Sequence, residues 1–85
     1  MGNILAVFGN RSHSMQFASA LKRVGVRCKV VNTPREISVS CGISVIFDRV
    51  ALPQAKQIVE YYKFSSFNKF YIMWQMGDMK KYKPI

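Results

Sequence analysis

The sequence holds one histidine, His13, and only four carboxylates, Glu36, Asp48, Glu60 and Asp78. So few candidate ligands and bases exclude most multi-ligand metal sites and argue against a paired-carboxylate mechanism. Neither a metal nor another cofactor is expected. Two cysteines, Cys28 and Cys41, are too few for a disulfide scaffold and are not spaced as CxxC. The longest apolar runs, Ile4–Phe8 and Val45–Phe47, fall far short of the ~20 residues that span a bilayer. A basic segment followed by a long apolar one, the mark of a secretory signal, is missing at the N-terminus. The expectation is a cytoplasmic, reducing location with free thiols and no membrane partner.

What the chain does have is a core and a charge. Its 85 residues allow one domain, read as residues 1–78 followed by a basic C-terminal tail over 79–85. A hydrophobic share of 49% is enough to pack an interior. Thirteen Lys and Arg against four acids give a net charge of +9, which points to an anionic partner or substrate. The basic residues are scattered rather than blocked, so a solvated basic surface is the plain reading.

Ile4–Phe8, closed by Gly9-Asn10, reads as a buried strand. Asn10 or Ser12 can cap a helix running to Val24 and stopped by Gly25. Its apolar stripe is read as Met15, Ala18, Leu21 and Val24, widened by Phe17 and Ala20. Val26–Val31 alternates as a half-buried strand, and Ile43–Phe47 is another. Pro53 opens a second helix with Ala55, Ile58, Val59 and Tyr62 on its apolar face. Lys69–Gln75 reads as the last strand, and Met79–Ile85, with three lysines and a proline, as a mobile tail. The order predicts an α+β, ferredoxin-like β-α-β-β-α-β sandwich, a four-stranded antiparallel sheet with two helices on one face. Such a fold implies no function by itself.

Between the second and third strands lies an ordered loop, Asn32-Thr33-Pro34-Arg35-Glu36-Ile37-Ser38-Val39-Ser40-Cys41-Gly42. A thiol becomes nucleophilic when positive charge or turn amides stabilise its thiolate. Arg35 lies six residues before Cys41, Gly42 removes the Cβ that would hinder approach to the sulfur, and Ser38 and Ser40 add hydroxyl donors. The plain alternative is a small, half-buried residue opening a strand. Cys28, at an inward position of an alternating strand, reads as structural. Phe8-Gly9-Asn10-Arg11-Ser12-His13-Ser14 leads a strand into a helix N-terminus that could hold an anion, yet it is neither GxGxxG nor a P-loop. His13 reads as a solvent-exposed first-turn residue. Phe70, Tyr71 and Trp74 amid lysines suggest a nucleic-acid platform, but the RNA-recognition motif is missing.

The stretch from Asn32 to Ile43 resembles the signature of a small bacterial selenium/sulfur carrier protein-like family. There a Thr-Pro-Arg turn precedes a Ser-Cys-Gly loop, followed by an apolar strand and an Asp, here Ile43–Phe47 and Asp48. The resemblance extends over roughly residues 4–62. It implies that Cys41 is the chalcogen-carrying nucleophile and that Thr33, Pro34, Arg35, Ser40 and Gly42 form its loop. Arg35, Ser38, Ser40 and Gly42 would help hold the anionic sulfur, and the partners would be donor and acceptor proteins. Such a chain is at most a sulfurtransferase-like carrier. It departs from the family pattern in opening the first helix Arg11-Ser12-His13-Ser14 without an acid and in its longer aromatic, basic extension after Lys63. The rival reading is a non-enzymatic basic module that binds nucleic acid or a small anion, with nucleic acid the weaker because of the missing motif. A homodimer through the last strand is compatible with either.

Overall fold

The computed structural model describes residues 3–37 and 42–85. Seven elements dominate: β1 (Ile4–Phe8), α1 (Arg11–Arg23), β2 (Cys28–Asn32), β3 (Ile43–Phe47), α2 (Leu52–Tyr62), β4 (Phe67–Met76) and β5 (Met79–Pro84), with one 3-10 turn at Arg49–Ala51 before α2. The sheet order is β2-β3-β1-β4-β5, and every neighbouring pair is antiparallel. Two split βαβ units, β1-α1-β2 and β3-α2-β4, therefore interlock, each placing one strand of the other between its own two. This is the expected ferredoxin-like sandwich with a fifth strand added at one edge.

β1 is central because it is apolar at every position. Ile4, Ala6 and Phe8 join Phe17, Ala18 and Leu21 of α1, Ala55 of α2, Val45 and Phe47 of β3 and Phe70 of β4 in one buried cluster. Both helices thus pack on the same face of the sheet. Phe8 lies at the middle of an aromatic cluster, with ring centroids 5.3 Å from Phe17 and 5.4 Å from both Phe64 and Phe67. Such pairs add about 0.5–1.5 kcal/mol each beyond simple burial. Leu5 and Val7 alternate onto the helix-free face and are buried there too. Leu5 is flanked by Ile46 and Tyr71, and Val7 by Ser44.

Asn10 caps α1, its side-chain oxygen accepting from the Ser12 amide at 2.7 Å and the His13 amide at 3.3 Å. Lys22 and Arg23 stand in the last turn, where the helix dipole favours cations. The buried stripe of α1 differs from the expected one. Ser14, Phe17, Ala18, Ala20 and Leu21 face the core, whereas Met15 and Val24 are 51% and 56% exposed. Ser14 is tolerated inside because its hydroxyl donates to the Arg11 carbonyl at 2.7 Å. The last residues depart most from expectation. Met79–Pro84 is not a mobile tail but strand β5, paired with β4 across a turn in which Gly77 takes a φ of +61°.

Candidate functional site

The loop joining β2 to β3 leaves the sheet at Thr33 and returns at Gly42. Its base is closed by a hydrogen bond from the Thr33 amide to the Gly42 carbonyl, 2.9 Å long. Beneath that bond the Thr33 and Ser44 hydroxyls meet at 2.7 Å, and Ser44 is fully buried on the helix-free face. Pro34 begins a tight turn in which the Ile37 amide donates to the Pro34 carbonyl at 3.0 Å. That turn places Arg35 and Glu36 at its corners, both exposed.

Gly42 has little room. A Cβ there would stand 2.9 Å from Thr33 Oγ1 and 3.3 Å from the Phe8 carbonyl oxygen. The chain therefore passes close to the carboxyl end of β1 just where the loop rejoins the sheet. The α1 N-terminus starts from the same end of β1, and Gly9 is held there by donating its amide to the Ser66 carbonyl at 2.9 Å.

Of the residues read from the sequence as the site, Thr33 and Gly42 meet at this loop base, while Pro34 and Arg35 stand in the turn that follows Thr33. Ser38, Ser40 and Cys41 lie outside the described residues. His13 is not the solvent-exposed residue expected. It is half-buried, its Nδ1 sits 2.7 Å from Ser66 Oγ, and its ring packs against Phe64 at 5.3 Å. Cys28 occupies the inward position expected. Its Sγ donates to the Ala18 carbonyl at 3.4 Å, and burial pushes its thiol up, offset in part by the Lys22 ammonium. A thiol held this way is protonated at neutral pH and a poor nucleophile.

One connection had no local signal. Tyr82 faces Met73 across the β4–β5 pair, on the same side as Tyr71 and Leu5. Its phenol is pushed up by burial and then by the Glu36 carboxylate. Among the described residues no cluster of three or more His, Cys, Asp or Glu could hold a metal ion, and no helix is long and apolar enough to cross a membrane.

Residues 3–68, which include the whole loop, match the family model described as "Putative Se/S carrier protein-like". No curated protein and no solved structure gives a match to the chain.

Proposed function

The chain belongs to the Se/S carrier protein-like family, and on that premise we propose that it relays sulfane sulfur or selenium on Cys41 between a donor and an acceptor protein. The observation that carries this reading is the family match itself, which takes in the complete Thr33–Gly42 loop with its Thr-Pro-Arg and Ser-Cys-Gly ends.

The Cys41 thiolate would attack the outer sulfur of a donor persulfide, R–S–SH. A bond forms from Cys41 Sγ to that sulfur, the donor S–S bond breaks, and the electron pair leaves on the donor as R–S⁻. Cys41–S–SH results with no net oxidation, and selenium would give Cys41–S–SeH in the same way. An acceptor thiolate repeats the exchange on the carrier. The reaction needs an ionised, approachable thiol rather than a general base, which suits a chain with one histidine and four carboxylates.

Within this reading Arg35 favours the thiolate and steadies the terminal anionic chalcogen, because a guanidinium offers several directed donors. Ser38 and Ser40 supply further hydroxyl donors, while Thr33, Pro34 and Gly42 shape the loop. The +9 charge favours encounter with acidic partners. The test is mass spectrometry after incubation with a small-molecule persulfide donor. One added sulfur atom on the Cys41 peptide, kept in Cys28→Ser and lost in Cys41→Ser, is the expected result. A protein that gains no transferable sulfur, yet binds oligonucleotide with steep salt dependence, would instead be the basic binding module.

A further inference from the structure

The family match stops at residue 68, two residues into β4, so the ribbon that follows lies beyond what defines the family. β4 pairs with β1 as far as Ile72 opposite Ile4, with one more bond from the Met73 amide to the Asn3 carbonyl at 2.8 Å. Past that point, among the described residues, β4 pairs only with β5: Trp74 with Lys81, Gln75 with Lys80, Met76 with Met79. A two-stranded ribbon therefore runs on past the end of β1.

Burial falls along one face of β4 as the ribbon leaves the helices. Phe70 is buried and Ile72 half-buried, but Trp74 is 42% and Met76 61% exposed. Met79, also 61% exposed, and Lys81 lie opposite on that face, and Lys83 lies opposite Ile72. From Lys69 to Ile85 there are four lysines and one acid, Asp78 in the turn.

Lysines and Pro84 on an edge strand have a plain explanation, since they discourage strand-to-strand aggregation. That explanation does not reach Trp74, Met76 and Met79, whose exposure adds to the aggregation risk rather than lowering it. A large indole beside two adaptable thioethers, with Lys81 and Lys83 on the same face, has the make-up of a protein-docking patch. Nucleic acid fits less well. Bases stack on successive planar side chains, and this face offers one exposed indole and two methionines.

We propose that the β4–β5 ribbon is a docking surface for an acidic protein partner, which places an apolar anchor against Trp74, Met76 and Met79 and its carboxylates against Lys81 and Lys83, on the same face. The proposal is independent of the chemistry at Cys41. Binding occurs across the ribbon face, since the lysines and Pro84 of β5 oppose strand addition at its edge.

Trp74 is the chain's single tryptophan, so its emission reports this surface alone. The intact protein is titrated with a synthetic helical peptide carrying glutamates on one face and leucines on the other, and in parallel with oligothymidylate. A saturable blue shift with the peptide, weakening as salt rises, is expected. The double variant Lys81→Glu, Lys83→Glu should abolish it, and Met76→Ser with Met79→Ser should weaken it about tenfold. Both variants should melt as the parent does, because the altered side chains are exposed. Cys41→Ser should bind as the parent does, which separates this proposal from the carrier reading. No shift with the peptide, equal binding by the charge-reversed variant, or tighter binding of oligothymidylate at the same salt would each overturn it.

Discussion

The hydroxyls of Thr33 and Ser44 meet at 2.7 Å beneath the loop base, and Ser44 is fully buried while Thr33 is half-buried. This pair ties the Thr-Pro-Arg end of the loop to β3, the strand that begins directly after Gly42. The rest of the loop base depends on it, because Thr33 also closes the backbone through Gly42.

The unequal burial of the two hydroxyls predicts unequal costs. Thr33→Val strands the Ser44 hydroxyl in the interior and should cost about 1–3 kcal/mol. Ser44→Ala leaves the Thr33 hydroxyl, which can still reach water, and should cost less. The double variant should cost less than the sum, since no orphaned group remains. Urea unfolding of the four proteins measures all three terms.

Gly42→Ala tests how tightly the chain passes Phe8. The added Cβ would meet Thr33 Oγ1 at 2.9 Å, and that oxygen is fixed by its bond to Ser44. On the other side stands the Phe8 carbonyl oxygen, which belongs to the central strand. A substitution this crowded should cost about 1–3 kcal/mol. Thermal unfolding should show a drop of about 4–8 °C for each kcal/mol in a domain of this size. An unchanged melting temperature would mean that the loop base yields freely.

The strands of the core were legible because their signals are local. Ile4–Phe8 is an unbroken apolar run and Ile43–Phe47 is apolar apart from Ser44, and both form strands over the residues expected. β5 was not, because three lysines and a proline carry no burial pattern. What makes it a strand is the Gly77-Asp78 turn and pairing with β4. Likewise Met15 looks more apolar than Ser14, yet the local bond to Arg11 lets Ser14 take the buried place. At the candidate site, Thr33, Pro34, Arg35 and Gly42 stood out as a motif. The Thr33–Ser44 bond did not, since it depends on sheet register.

The first turn of α1 contains no acid in a chain of net charge +9. Asn10→Ala removes the acceptor of the Ser12 and His13 amides and should cost about 1 kcal/mol. Asn10→Asp keeps the acceptor and adds a negative charge at the positive end of the helix dipole, for a gain of about 0.3–1 kcal/mol at low salt. Melting curves at two ionic strengths distinguish the contributions. The gain from Asp should shrink with added salt, while the loss from Ala should not.

Cys28 should be the slow thiol of the pair, and the sign of its pH dependence follows from its burial. The fold favours the neutral thiol, so the folded pKa stands above the ordinary thiol value. Iodoacetamide at neutral pH should therefore modify Cys28 more slowly than a model thiol, with the rate climbing only in the alkaline range and jumping on addition of denaturant. The same shift couples to stability. Below the unfolded thiol's pKa both states are protonated and the stabilisation from Cys28 is fully present; as pH rises through the folded value that stabilisation is lost, because the unfolded thiol ionises first. Cys28→Ala should flatten this alkaline slope while lowering stability at neutral pH. A Cys28 that reacts at neutral pH as fast as free cysteine would contradict its hydrogen bond to the Ala18 carbonyl and its place against the core.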